Sequence, residues 1–114
     1  MLLTLIGLFI LVALAGTALA MHELRGRKLP LPVGLLHGVA AVILIVLLVI
    51  HDLHEPHNLL VNSATVLFVL TATGGLLLFM FRAMRQPLPG FVVMLHAGFA
   101  VASIVLLSIG YIKG

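Results

Sequence analysis

The sequence contains no cysteine, which removes disulfides, thiolate metal ligands and iron–sulfur clusters from consideration. Charge is almost as scarce: only 8% of the 114 residues are Asp, Glu, Lys or Arg, and three of these are acidic. There is no phosphate loop, dinucleotide fingerprint or zinc-protease motif, and Ser, Thr, Asp and His form no nucleophilic constellation. Polar connections are short, about 8–11 residues each, so there is no room for a soluble catalytic domain. Any chemistry must sit inside a bundle of apolar segments or at its two surfaces.

Apolar residues make up 63% of the chain, and the mean hydropathy is +1.36, far outside the range of a soluble domain. Four apolar runs, at about Leu2–Met21, Val33–Ile50, Leu59–Phe81 and Gly90–Ile112, each approach the roughly 20 residues that span a bilayer core. The expected fold is all-α: one integral membrane domain over residues 1–114, a four-helix transmembrane bundle. Ala18-Leu19-Ala20 resembles a signal-peptide cleavage site. No basic residue precedes the first run and the basic cluster follows it, so this run is read as a first transmembrane helix.

Arg25, Arg27 and Lys28 follow the first run, and Arg82 and Arg85 follow the third; the middle connection carries only Asp52 and Glu55. Basic loops stay in the cytoplasm, so both termini and the His51–Asn58 loop are expected on the exterior of a bacterial inner membrane. The pI near 10.3 follows from these topological charges. It calls for the lipid bilayer, with anionic lipid at the basic loops, and for no nucleic acid.

Two stretches read as copies. Arg25 to Pro32 (RGRKLPLP) returns as Arg82 to Pro89 (RAMRQPLP), and Leu36-His37-Gly38 returns as Leu95-His96-Ala97. A tandem duplication of a helical hairpin is expected, with repeat 1 at about 1–57 and repeat 2 at about 58–114. Such repeats commonly pack about a pseudo-two-fold axis. In this register His22 corresponds to Phe79, so the repeat gives His22 no support. Counted from helix starts near Val33 and Gly90, His37 lies about 6 Å and His96 about 9 Å into the membrane at 1.5 Å per residue. The second and fourth helices run in the same direction and would be diagonal neighbours.

Small residues collect at this depth: Gly34 and Gly38 beside His37, Ala97 and Gly98 beside His96, Gly16 and Thr17 on the first run, and Thr73, Gly74 and Gly75 on the third. They either let helices pack closely or clear a slot for a flat cofactor. A histidine inside a membrane span is a functional candidate by default, although a neutral histidine can also serve as an interhelical hydrogen-bonding group. The sharpest reading is one b-type haem with His37 and His96 as axial ligands, and with Arg25, Lys28, Arg82 and Arg85 at its rim.

On these segments the chain resembles the membrane cytochromes b, whose four-helix cores hold haem between histidines on paired transmembrane helices. The resemblance covers little more than the second and fourth helices. It implies a b-type cytochrome that carries electrons between a quinone pool and a partner redox protein. Di-haem members use a histidine separation like that of His37 and His51, 14 residues apart, but Gly110 stands 14 residues beyond His96. One haem is therefore expected, and a second at His51 is not.

His51, His54 and His57, with Asp52 and Glu55 between them, form a second group of possible ligands, suited to zinc or copper; an exposed member could also exchange a proton with an external quinol. Alternatives to the electron carrier are an accessory subunit of a larger membrane complex and a metal-handling protein using the exterior loop; the partners expected besides lipid are a quinone and a larger redox complex or a second copy of the chain. Transport ranks last, because no acidic residue is evident within a span.

Overall fold

A computed structural model describes residues 1–27 and 30–114. Lys28, one of the expected rim cations, lies outside the described residues. The described chain forms four helices: α1 (Leu2–Leu24), α2 (Leu31–His54), α3 (Leu59–Ala83) and α4 (Gly90–Lys113). All four are long and apolar enough to cross a membrane. At 1.5 Å per residue each is roughly 35 Å long, more than the ~30 Å hydrocarbon core.

The helix ends follow from local chemistry. Pro30 precedes α2, with Leu31 and Pro32 in its first turn, where a missing N–H forfeits no intrahelical bond. Asn58 caps α3: its side-chain oxygen accepts from Leu60 N at 3.1 Å and Val61 N at 3.2 Å. α1 and α3 end in the same turn. Arg25 and Met84 are the C-caps, and Gly26 and Arg85 follow with φ of 75° and 58°. The closing bonds, Arg27 N to His22 O and Gln86 N to Phe81 O, are both 2.9 Å.

These matches correct the alignment drawn from the basic loops. RGRKLPLP and RAMRQPLP match at a spacing of 57 residues, but the turns and the helices that follow them correspond at 59: Gly26 with Arg85, Pro30 with Pro89, His22 with Phe81 rather than Phe79, and His37 with His96. The helices follow one spacing because the turns are conformationally alike, although one has glycine and the other arginine at its left-handed position.

Each helix packs against two neighbours, α1 on α2 and α4, and α3 on α2 and α4, so the parallel pair α2 and α4 is diagonal, as expected. One end of the bundle carries the two basic connections (the basic end); the other carries both chain termini and the α2–α3 connection (the terminal end). The core sits almost wholly in the terminal half, where Leu5, Ile6, Phe9, Leu44, Leu48, Val61, Ala64, Phe68 and Leu107 are buried together. The outer surface is covered by exposed Leu, Ile, Val and Phe side chains on all four helices, the solvent preference of a protein immersed in lipid. The protein is an integral membrane protein.

Candidate functional site between His37 and His96

Where the terminal half is filled by Leu and Phe, the basic half offers Ala13, Gly16, Ala41, Ala72, Gly75, Ala97 and Ala100, and these small residues line a cavity of about 360 Å³. That volume lies within the ~300–1,000 Å³ range of small-molecule and cofactor sites. All four helices contribute to the wall, which is apolar apart from a few groups; His37 and His96 both line it. Phe9 and Phe68 close its floor. Their rings stack with centroids 4.0 Å apart and planes 15° apart, and the two residues hold equivalent positions on α1 and α3. Glu23 and Arg82, again equivalent positions, meet at the basic end in a 2.8 Å ion pair, and both line the cavity.

Each histidine is pressed against a glycine of its own hairpin. A Cβ at Gly16 would lie 2.6 Å from Cε1 of His37, and a Cβ at Gly75 would lie 2.9 Å from Cε1 of His96. Both distances are below any real Cβ contact, so the imidazoles can lie where they do only because these positions lack a side chain. His96 Nδ1 is 2.9 Å from the Thr71 carbonyl oxygen. A carbonyl can only accept, so Nδ1 carries the proton and, in the neutral ring, Nε2 keeps its lone pair. Metal-ligating histidines are commonly prepared in this way, with the second nitrogen tied to a carbonyl or carboxylate. Val12 holds the position equivalent to Thr71 on α1, but His37 Nδ1 is buried without a hydrogen-bond partner.

Of the other residues singled out in the sequence, Gly34 lines the cavity and Gly38 does not. A Cβ on either would meet nothing within 4 Å. Gly74 is in ordinary contact range of His96, 3.8 Å from Nδ1. Arg82 is at the mouth, whereas Arg25 and Arg85 are exposed in the turns and do not line the cavity.

The terminal-end histidines are engaged separately. His54 Nδ1 donates to the Ile50 carbonyl at 2.8 Å, and Asn62 Nδ2 donates to His57 Nδ1 at 2.8 Å. His51 Nδ1 stands 3.6 Å from Asp52 Oδ1. Among the described residues no three His, Asp or Glu side chains are placed to hold a metal ion.

Sequence reasoning missed Glu23, the Phe9–Phe68 floor and the Thr71 carbonyl. Matching at a spacing of 59 would have found the first two, since Glu23/Arg82 and Phe9/Phe68 fall opposite each other in that register. No side-chain pattern announces a backbone carbonyl. No protein-family model matches the chain, and neither a curated protein nor a solved structure matches it.

Proposed function

We propose that the cavity holds one b-type haem between His37 and His96, and that the protein carries electrons between a membrane quinone pool and a partner redox protein. One observation carries this reading: two imidazoles from parallel, diagonal helices line a single apolar cavity, and one of them has its tautomer set by the Thr71 carbonyl. The donor set fits the group. Haem b requires two neutral imidazoles, apolar walls with little bulk, and a cation for its carboxylates. The Ala and Gly walls supply the space, and Arg82 stands at the mouth, where Glu23 already pairs its charge and a haem carboxylate would have to take Glu23's place.

Bound haem would supply a one-electron iron couple. The protein's part is to hold and orient the ring and keep water from it. Gly16 and Gly75 set the depth of the imidazoles, the Phe9–Phe68 stack bars the terminal half, and the Glu23–Arg82 pair covers the basic end. With short connections and a lipid-facing exterior, the protein must exchange electrons with partners in the bilayer or at its surfaces, and a quinone meets that requirement. No stable ligand set gathers at His51, His54 and His57, and the reading uses none of them.

We infer further that the hairpins arose by duplication, supported by the identities Phe9/Phe68, Gly16/Gly75, Met21/Met80, Pro30/Pro89, His37/His96 and Ala41/Ala100, all at one spacing. Charge supports a bacterial inner membrane with the basic end cytoplasmic.

Absorption spectroscopy tests the function. Protein purified from a haem-replete host is expected to show a Soret band and a sharp α-band on reduction, lost in the double variant His37→Ala with His96→Ala and retained in His54→Ala. A preparation that stays colourless after added haem ends the reading and leaves an accessory subunit of a larger membrane complex.

A further inference from the structure

The two histidines of the cavity are held unequally. His96 donates from Nδ1 to the Thr71 carbonyl, while His37 Nδ1 is buried with no hydrogen-bond partner, Val12 standing where α3 has Thr71. The residues at these equivalent positions differ in one relevant way. Thr71 Oγ1 donates back to the Leu67 carbonyl at 2.7 Å, a bond that bends helices locally; Val12 has no hydroxyl. The α3 turn that leads to Thr71 ends in this bond, whereas in α1 the back-bond runs from Thr17 Oγ1 to the Ala13 carbonyl at 2.9 Å and leaves Val12 out.

His37 also lines a second recess, of about 270 Å³, on the outer side of the α1–α2 pair. Leu11, Val12, Ala15, Leu19 and Leu36 are among its other walls, and among the described residues His37 is its one polar lining residue. Leu11 and Leu36 are exposed on the lipid-facing surface, so the recess faces the bilayer. The imidazole of His37 thus stands between the lipid side and the main cavity.

We propose that His96 is the anchoring ligand of the pair and His37 the releasable one, so that a small apolar diatomic molecule dissolved in the bilayer can reach the iron on the side of His37. This rests on the haem reading. Outer hydrogen-bond partners of ligating histidines are worth about 10–100-fold in metal affinity, and only His96 has one. In the exchange one donor bond, from His37 to iron, breaks and one from the incoming molecule forms; no electron changes hands. A quinone ring would need donors for two carbonyl oxygens, and the recess offers one polar residue.

The test uses the haem-loaded full chain, reduced, with carbon monoxide as the probe. The wild type is expected to give a carbon monoxide difference spectrum. His37→Ala is expected to keep its haem and bind carbon monoxide about tenfold more tightly or better, whereas His96→Ala loses haem about tenfold more readily than His37→Ala; Thr71→Val is expected to lose haem more readily than the wild type. A wild-type Soret band that saturating carbon monoxide leaves unchanged would overturn the proposal, as would equal haem loss from the two histidine variants. Absence of any Soret band would instead remove the haem reading and this inference with it. A haem-free measurement gives a separate check: in nitrogen-15 spectra of the unloaded chain, His96 is expected as the Nδ1–H tautomer alone and His37 as an exchanging mixture, and an equally locked His37 would refute the asymmetry.

Discussion

Gly16 and His37 touch so closely that a single methyl group at residue 16 would fall 2.6 Å from Cε1 and 3.0 Å from Nε2 of the imidazole. Gly75 and His96 repeat the relationship, and the glycine precedes its histidine by the same interval in each hairpin. Gly16→Ala and Gly75→Ala are each expected to push an imidazole off its position. Overpacking of this kind typically costs about 1–3 kcal/mol. The expected readouts are a lower melting temperature in detergent and, on the proposed haem reading, a weaker Soret band in both variants.

Gly38→Ala provides the opposite expectation. Its Cβ would meet nothing within 4 Å, and Ala97 already occupies the equivalent position in α4. Replacing glycine in a helix interior is expected to be neutral or to stabilise by up to about 1 kcal/mol. The same melting measurement checks it, with the absorption spectrum unchanged. A loss of colour in this variant would mean that Gly38 clears space for the ring, as its sequence position beside His37 first indicated.

The Phe9–Phe68 stack separates the filled half of the bundle from the hollow half. Phe9 and Phe68 are both buried, and truncation of a buried Phe costs about 3–5 kcal/mol. Phe9→Ala and Phe68→Ala should each destabilise by that order. Because each ring is the other's partner, the double variant is expected to lose less than the sum of the singles. A double-mutant cycle of unfolding free energies in detergent checks both points.

The four helices were legible because apolar runs near membrane length admit few other structures. Their ends were less so. α2 reaches His54 rather than Ile50 because His51 and Asp52 can be accommodated in a last turn at the membrane surface, which a hydropathy pattern cannot register. The matched histidines were legible as a pair on parallel helices, and the structure places both on one cavity. What stayed hidden was the register of the loops. Proline pairs drew RGRKLPLP onto RAMRQPLP at a spacing of 57, while the turn itself places Arg85 where Gly26 stands, and an arginine at φ 58° leaves no trace in composition. The terminal-end histidines looked like a ligand set because they are close in sequence. The helix, its cap and Asn62 send them to different partners.

That left-handed arginine yields its own expectation. A non-glycine residue in the left-handed region is disfavoured by about 1–2 kcal/mol, and glycine already serves at the matching position of the first turn. Arg85→Gly is expected to stabilise the fold by roughly 1 kcal/mol, and Gly26→Ala to destabilise it by a similar amount. Paired melting curves of the two variants check the signs.

At the terminal end, α2 is tied to α3 by Thr65, whose Oγ1 donates to Asp52 Oδ2 at 2.5 Å and also lies 3.0 Å from the Val61 carbonyl. Asp52 Oδ1 is buried without a hydrogen-bond partner, and so is His51 Nδ1, 3.6 Å away. The carboxylate therefore depends on one hydroxyl. Thr65→Val preserves shape and removes that donor; loss of a hydrogen bond to a charged group of this kind costs about 1.5–3 kcal/mol. Asp52→Asn keeps an acceptor for Thr65 and removes the buried charge, so it should cost less than Thr65→Val. If Asp52→Asn proves the more damaging in thermal unfolding, the 3.6 Å contact of Asp52 with His51 matters more than the Thr65 bond, and the His51→Gln variant should then be as unstable as Asp52→Asn.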